Sequence, residues 1–503
     1  MKNISLLKMA CFVFAFCVAT LIPASAQITF TTLASFDPST GLQPFGTLVQ
    51  GVDGNLYGTT FEAGVNCSSS AICGTIFKIT PPGVLTNFYN FCSLPNCTDG
   101  DGPESGLLQA IDGNLYGTTA YGGIGGENTQ NGTLFEIDPA GSLSTLYSFC
   151  APPNCANGEA APIGGLIQDS DGNFYGTAFA GGGPANGGTV FRFSANGILK
   201  PLHRFCSQPN CADGSGPTAV LLRAPDGNLY GTTKYGGAYG SNVGGYGTVF
   251  KISSSGTLAT LYSFCAEQQT DCPDGQYPST GALALSSDGG FYGTTQAGGT
   301  YGQGTAFRIS RDGTLTTLHS FCRALLPFCP DGAAPLSGVI QATDGNFYGT
   351  ALAGGSPFGG GVIFKMTPQG SLSVVYDFCS QPNCTDGLYP QAGLVQATDG
   401  NLYGTTLSGS TPNYGVVFRL SLGLAPFVET LPVSRQVGTQ VIVLGNNLTG
   451  STAVSFNGTA ATCTVVSDTE ITTTVPTGAT TGFVTVTTPS GTLTSNKPFQ
   501  VIP

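Results

Sequence analysis

The 503-residue chain has no tryptophan and only two histidines, His203 and His319. Two histidines are too few for a His-rich metal centre and make a Ser-His-Asp triad improbable. Both stand where Tyr147 stands in a related segment, so we expect them to be structural. Lysine and arginine number only 16, with a formal net charge of −12. Binding to nucleic acid phosphates or to an anionic membrane surface requires more cations, so the charge argues against both.

Long apolar runs are missing beyond the first 26 residues, and we therefore expect no membrane span in the mature chain. Residues 1–26 are typical of a secretory signal peptide. Lys2 and Lys8 form a basic start, an apolar run extends from Met9 to Ile22, and Ala24-Ser25-Ala26 offers small residues for cleavage. An uncleaved anchor is the alternative. The pattern predicts a protein that is secreted, extracellular or at the cell surface.

Cysteine is plentiful, with 17 residues that fall mostly into close pairs. In an exported chain such pairs indicate disulfides. The predicted disulfides are Cys67/Cys73, Cys92/Cys97, Cys150/Cys155, Cys206/Cys211, Cys265/Cys272, Cys322/Cys329 and Cys379/Cys384. Cys11 and Cys17 belong to the first 26 residues, so Cys463 alone remains in the mature chain, and we expect it to be a buried free thiol in a strand. Metal binding is the alternative, but a zinc site requires four convergent ligands and each pair lies one repeat from the next, so we predict no metal ligands.

An eight-residue stretch, Asp112-Gly-Asn-Leu-Tyr-Gly-Thr-Thr119, recurs along the chain. Near-copies start at Asp53, Asp171, Asp226, Asp288, Asp344 and Asp399, at intervals of 55 to 62 residues. A fixed period of this size indicates an array of one supersecondary unit. Within a repeat, apolar or alternating runs separated by turn residues predict four antiparallel strands, a to d. Radial repetition of four-stranded sheets is the β-propeller pattern.

The ends of the array predict closure. The seventh repeat stops after Val416–Leu420 and lacks a fourth strand, whereas Ile28–Phe36 resembles an isolated fourth strand. Pairing the two removes exposed sheet edges. The expected fold is all-β: a seven-bladed β-propeller over residues 27–423, closed by the N-terminal strand. Recurrent aromatics, such as Tyr116 and Phe135, are expected to pack between blades.

All long loops are predicted on one face, because the a–b and c–d turns are short and the b–c and d–a loops are long. Loops on a rigid scaffold commonly carry function. The aromatic residues of the b–c loops differ between repeats, and we take them as candidate ligand-binding residues. They are Tyr121, Tyr235, Tyr239, Tyr246, Tyr301, Phe358 and Tyr414. The alternative is that these rings fold back over blade edges.

Acidic residues offer two further hypotheses. An Asx residue follows most cysteine pairs, and together these would form an acidic ring with a possible calcium site; turn formation is the alternative. They are Asp99, Asn157, Asp213, Asp274, Asp331 and Asp386. Carboxylates for glycoside hydrolysis would have to come from Asp101, Glu104, Glu127, Glu159 and Glu267. No pair stands out, and we name no catalytic residue and no cofactor.

The repeat resembles the Gloeo/Verruco tandem-repeat family of exported bacterial proteins, known as GloVer repeats. The resemblance rests on Asp226–Gly237 and Gly247–Ile252 and covers residues 28 to about 423. It implies export and no defined activity. A weaker likeness links Asp-Gly-Asn-Leu-Tyr to NHL and streptogramin-lyase propellers, but the lyase's catalytic histidine has no counterpart on the loops.

Residues 424–503 lose the period and predict a small β-sandwich of short alternating strands. The phrase Val465–Pro476 resembles the IPT/TIG immunoglobulin-like family, which implies a spacer or adhesive module. We interpret the chain as a monomeric binding protein for an extracellular glycan or protein. The alternatives are an enzyme acting on extracellular polysaccharide through carboxylates at the propeller mouth, and a structural matrix component. The ligand, any catalysis and the mode of surface attachment stay undetermined.

Overall fold

The computed structural model describes residues 28–502 apart from 66, 68–71, 125, 127–130, 150–158, 184, 240–243, 267–271, 324–328, 356–357 and 411–412. The signal peptide prediction lies outside the described residues. The fold is all-β, with 3-10 turns at Pro95–Cys97, Pro209–Cys211 and Pro382–Cys384.

Seven antiparallel sheets follow one another, each with four strands in the order a, b, c and d. Sheet 1 contains β2 (Val49–Gln50), β3 (Leu56–Thr60), β4 (Thr75–Ile79) and β5 (Leu85–Asn90). Sheet 2 contains β6 (Leu108–Gln109), β7 (Leu115–Thr119), β8 (Thr133–Ile137) and β9 (Leu143–Ser148). Sheet 3 contains β11 (Leu166–Gln168), β12 (Phe174–Ala178), β14 (Thr189–Phe193) and β15 (Leu199–Arg204), with β10 (Glu159–Ala160) and β13 (Ala180–Gly181) paired beside it.

The remaining sheets repeat the pattern. Sheet 4 contains β16 (Leu222–Arg223), β17 (Asn228–Thr233), β18 (Thr248–Ser253) and β19 (Leu258–Ser263). Sheet 5 contains β21 (Ala284–Leu285), β22 (Phe291–Ala297), β23 (Thr305–Ile309) and β24 (Leu315–Ser320), with β20 (Gln276–Pro278) as an added strand. Sheet 6 contains β25 (Ile340–Gln341), β26 (Phe347–Ala351), β27 (Val362–Met366) and β28 (Leu372–Asp377). Sheet 7 contains β29 (Val395–Gln396), β30 (Leu402–Thr405), β31 (Val416–Ser421) and β1 (Thr29–Ser35).

The N-terminal strand completes the last sheet, as the sequence predicts. β1 pairs antiparallel with β31, from Thr29 opposite Ser421 to Ser35 opposite Val416. The register shifts between Thr32 and Ala34, and a corresponding shift interrupts the c–d pairing of the other six sheets. β1 therefore takes the place of a fourth strand in both direction and register.

Each sheet packs on the next through two phenylalanines. A Phe after strand d meets the strand c Phe of the following sheet edge to face, with centroids 5.0 to 5.4 Å apart. The pairs are Phe36/Phe77, Phe91/Phe135, Phe149/Phe191, Phe205/Phe250, Phe264/Phe307, Phe321/Phe364 and Phe378/Phe418. Phe36 follows the last strand of sheet 7 and Phe77 lies in sheet 1, so the contacts close a cycle. We call the seven sheets the ring.

The glycine of Leu-Tyr-Gly-Thr-Thr is required by this contact. A Cβ at Gly58, or at its six equivalents, would lie 2.5 to 2.7 Å from the strand c Phe ring. The preceding tyrosine is also fixed: all seven hydroxyls donate to the Asp of the Asp-Gly turn, at 2.6 to 3.2 Å. These recurrent residues thus build the ring, as expected.

Residues 427–502, which we call the C-terminal module, contain ten strands. They are β32 (Glu429–Leu431), β33 (Ser434–Gln436), β34 (Gln440–Leu444), β35 (Ala453–Phe456), β36 (Thr459–Ala461), β37 (Cys463–Val465), β38 (Glu470–Thr474), β39 (Val484–Thr488), β40 (Gly491–Thr494) and β41 (Gln500–Ile502). Sheets β32-β34-β38-β37 and β36-β35-β39-β40 share one core that includes Val443, Phe456 and Val486.

The C-terminal module lies against the short-turn face of the ring. Four of its side chains donate to the residue that precedes the turn Asp in sheets 1, 3, 4 and 7. The bonds are Thr469 to the Val52 carbonyl, Arg435 to Ser170, Gln500 to Pro225 and Asn446 to the Thr398 hydroxyl, at 2.6 to 3.1 Å. The module is therefore docked on the ring rather than held away from it, and the loop-rich face lies on the opposite side.

Candidate binding site

The loops of the loop-rich face are held by backbone pairing. In every repeat the d–a segment bridges the segment after strand b of the same sheet. Tyr121 takes part in such a bridge with Asp101, and Tyr235 with Ser215. These two candidate residues are consequently anchored on sheet extensions, although the sequence placed them in loose b–c loops.

The residue that precedes the proline of each d–a segment is left-handed in all seven repeats, with φ between 49° and 63°. The residues are Gln43, Gly102, Ala161, Gly216, Tyr277, Ala334 and Tyr389. Glycine adopts this conformation without strain, whereas a bulky residue such as Tyr277 or Tyr389 does so only when its surroundings hold it there.

Both glycines at this position lie between two aromatic rings. Phe61 and Tyr121, which we call pair one, have centroids 6.2 Å apart. Phe179 and Tyr235, which we call pair two, have centroids 6.5 Å apart. A Cβ at Gly102 or Gly216 would lie 2.9 Å from the Phe ring and 3.2 Å from the Tyr ring, so each pair needs glycine between its members.

Two more rings extend the pairs along the face. Phe45 lies 5.4 Å from Phe61, and Tyr277 lies 5.8 Å from Tyr235. The six rings, which we call the aromatic arc, are Phe45, Phe61, Tyr121, Phe179, Tyr235 and Tyr277; all are partly exposed. The Lys234 ammonium lies 5.6 Å from the Tyr235 centroid. Of the predicted binding residues, the arc contains only Tyr121 and Tyr235. Its other rings were not predicted, because Phe61 and Phe179 stand one position earlier in the repeat and Phe45 and Tyr277 precede strand a.

One carboxyl accompanies the arc. Glu104 is partly exposed, and burial raises the pKa of its carboxyl. Burial and the nearby charges of Glu104 and Asp101 raise the pKa of Tyr121, which places the carboxyl close to pair one. Asp101 is buried and accepts the Cys73 N–H at 2.6 Å. Glu127, Glu267 and the Glu159 side chain lie outside the described residues.

The other predicted binding residues are dispersed. Tyr239, Tyr301 and Phe358 are exposed, and no ring contact joins them to the arc in the described part of the chain. Tyr246 and Tyr414 are partly exposed and pack against the cores of the ring, which matches the alternative that such rings fold back over blade edges.

The predicted acidic ring is wrong for its five described aspartates, because Asp99, Asp213, Asp274, Asp331 and Asp386 are buried. Asp213 is representative: it accepts bonds from the Ser207 and Gln208 backbone and from His203. N–H and O–H donors at these carboxylates stabilise the disulfide turn and oppose a calcium ion there. Asn157 lies outside the described residues. His203 and His319 take the place of tyrosine, as expected.

Six of the predicted disulfides are present, namely Cys67–Cys73, Cys92–Cys97, Cys206–Cys211, Cys265–Cys272, Cys322–Cys329 and Cys379–Cys384. Cys150 and Cys155 lie outside the described residues. Cys92, Cys97 and Asp101 converge, but the disulfide removes both thiolates as metal ligands. Cys463 is free and in a strand, as predicted, but only partly buried.

A family model matches the repeat that recurs along the sequence. Residues 20–161, 126–327 and 245–465 match the Gloeobacter/Verrucomicrobia repeat. The chain belongs to the Gloeobacter/Verrucomicrobia repeat family. The matched residues span all seven sheets of the ring and extend into the C-terminal module. A search among curated proteins gives no match.

Solved structures are similar to this Gloeobacter/Verrucomicrobia repeat protein at a coarse level. A luciferin-regenerating enzyme is 14% identical, with 66% of this chain and 94% of that chain covered and a TM-score of 0.38. A gluconolactonase candidate is 12% identical, with 80% and 94% covered and a TM-score of 0.38. A protein of unknown function from Bacteroides thetaiotaomicron is 12% identical, with 64% and 72% covered and a TM-score of 0.37. Such scores carry no argument about activity. Among the described residues, no helix is long and apolar enough to cross a membrane.

Proposed function

We propose that the chain is an exported glycan-binding protein whose site is the aromatic arc. In this proposal the seven sheets are the blades of a β-propeller, and the C-terminal module is a β-sandwich of the IPT/TIG type. Residues 1–26 direct export, and the disulfides of the d–a loops fit an oxidising compartment.

The single observation that carries the proposal is the position of the aromatic pairs. The residues that build the ring recur in all seven repeats, whereas a Phe and a Tyr flank glycine at only two junctions. A residue type that breaks the repeat symmetry is not required by the repeat. Phe61, Tyr121, Phe179 and Tyr235 therefore need another reason to be there.

A glycan suits these rings better than a charged ligand does. The faces of aromatic rings carry partial negative charge, against which the C–H groups of a sugar ring pack well. Gly102 and Gly216 between the rings have no side chain and therefore add neither charge nor bulk there. A binding site made of apolar rings with a few polar groups is the usual composition of ligand sites.

The test is a glycan array probed with the recombinant mature chain. We expect binding to at least one polysaccharide and a loss of roughly tenfold or more when Phe179→Ala and Tyr235→Ala are combined, because each stacked ring contributes about 1 kcal/mol. Phe358→Ala is the matched control, since this exposed ring lies on the same face outside the arc.

Two results oppose the proposal. If the recombinant mature chain is folded, as shown by a cooperative melting transition, and binds no glycan, a structural matrix role is favoured. Release of new sugar ends from the same polysaccharides, abolished by Glu104→Gln, would favour the enzyme alternative. Glu104 is the residue to change because its raised pKa suits proton donation and it lies beside Tyr121.

A further inference from the structure

We infer that the ligand is an extended glycan chain that contacts pair one and pair two at once, rather than a chain end held at one pair. The inference rests on the proposed glycan-binding function and adds the class of ligand. It follows from three features of the loop-rich face: the duplication of the pairs, the small residues between them, and the different charge at each end.

The two pairs are copies of one another. In each, the Phe follows strand b of one sheet, the Tyr follows strand b of the next sheet, and a left-handed glycine lies between them. The Cβ distances to the two rings are the same in both, 2.9 and 3.2 Å. Closely similar geometry at the junctions of sheets 1 and 2 and of sheets 3 and 4 indicates two sites for the same chemical group. A polymer of similar sugar units presents such a group repeatedly.

The junction of sheets 2 and 3 lies between the pairs and carries alanine at all three equivalent positions, Ala120, Ala161 and Ala180. A chain that leaves pair one consequently meets no large side chain at these positions before it reaches pair two. The two ends also differ, because Glu104 lies beside Tyr121 and Lys234 lies over Tyr235. A bound chain therefore has a preferred direction.

Calorimetric titration with oligosaccharides of increasing length tests the inference. The probes are cello-, xylo-, manno- and chito-oligosaccharides, from disaccharides to octasaccharides. We expect a step in affinity of roughly tenfold or more once a chain reaches both pairs, since the second contact is then intramolecular. Combining Phe61→Ala with Tyr121→Ala, or Phe179→Ala with Tyr235→Ala, should remove the step and leave the affinity for short chains.

Gly216→Ala provides a variant that preserves both rings. Ala161 and Ala334 occupy the same left-handed position, so the backbone accepts alanine, but the new Cβ meets the Phe179 ring. We expect loss of the step and a melting temperature lowered by only a few degrees, because alanine at this φ carries strain of about 1 kcal/mol. Binding without length dependence, or a step that survives loss of one pair, overturns the inference and leaves the binding function intact. No binding of any probe overturns both.

Discussion

A single buried carboxylate organises each of five disulfide turns that precede a strand a. Asp213 accepts the Ser207 and Gln208 N–H groups, the Ser207 hydroxyl and a bond from His203, at 2.7 to 3.2 Å. Burial alone would raise the pKa of Asp213, but these hydrogen bonds outweigh burial and lower it. In the equivalent turn of sheet 6, the Tyr376 hydroxyl donates to Asp386 instead. Tyrosine and histidine are thus interchangeable partners here.

We expect Asp213→Ala to lower the free energy of unfolding by roughly 2 to 3 kcal/mol, because several buried donors lose their acceptor. His203→Tyr should change it by less than about 1 kcal/mol, since tyrosine occupies this position in other repeats. Chemical denaturation measures both. Equal losses in the two variants would mean that the position tolerates no exchange of partner, contrary to this account.

Residue identity predicted part of this cluster. The replacement of tyrosine by His203 and His319 was readable from aligned repeats, and the structural role followed. The burial of the aspartates was not, because an Asp-Gly after a cysteine pair is equally typical of an exposed turn. Only the return of the chain under the disulfide brings Asp213 against the backbone of Ser207.

At the scale of the element, the contact between sheets depends on one glycine. Gly231 in β17 faces the Phe250 ring of β18, and a Cβ there would lie 2.6 Å from the ring tip. Phe250 in turn packs edge to face on Phe205 of the preceding sheet. β17, β18 and the preceding sheet therefore share one packing constraint.

Gly231→Ala should lower the free energy of unfolding by about 1 to 3 kcal/mol, because overpacking forces the Phe250 ring out of its place. Gly244→Ala is the matched control: its Cβ would meet nothing within 4 Å, and it should be close to neutral. Urea denaturation compares them. A neutral Gly231→Ala would show that the ring yields without cost.

Strands and their order were predictable because period and alternation repeat seven times. The pairing of β1 with β31 was also predictable, since the seventh repeat lacked a fourth strand and Ile28–Phe36 supplied an unmatched one. The aromatic arc was predicted only at Tyr121 and Tyr235. Phe61 and Phe179 were missed because they differ in repeat position from their partners; the signal was an aromatic residue at either of two neighbouring positions.

At the scale of the whole molecule, the two faces of the ring have different neighbours. The short-turn face holds the C-terminal module through Thr398, Val52 and equivalent residues, and the loop-rich face carries the arc. This docking could not be predicted from the sequence, because the donors in the module follow no repeat. The resemblance implied a spacer or adhesive module and left its position open, whereas the hydrogen bonds hold module and ring together.

The outer face of one sheet of the module is shielded from solvent at Ile442 and Leu444. Val441 and Val443 point into the module core, while Ile442 and Leu444 alternate with them and are still 7% and 2% exposed. We infer that the ring covers this outer side. Glu429 lies on the same side, because it is paired directly with Leu444 across the sheet. Burial raises the pKa of Glu429, although Lys497 opposes the rise.

Glu429 predicts how the stability of the contact between the C-terminal module and the ring, which we call the joint, depends on pH. A carboxyl whose pKa is raised on folding makes the folded state bind more protons than the unfolded state, from the ordinary value of 4.5 up to the raised value. Stability due to this group is therefore present at low pH and lost as the pH rises through that range. Glu429→Gln removes the ionisation, so its melting temperature should match the wild type near about pH 4 and exceed it by a few degrees near about pH 8.

Differential scanning fluorimetry across this range measures the effect, with Glu62→Gln on the opposite face as the control. Glu470, whose pKa burial also raises, keeps some pH dependence in the Glu429→Gln chain. Because this contact connects the module to the ring, the gain in melting temperature should appear in the thermal unfolding transition of the intact chain. A Glu429→Gln chain that melts in parallel with the wild type at every pH would show that ionised Glu429 costs the joint nothing, and the covered face would then have to be open to water.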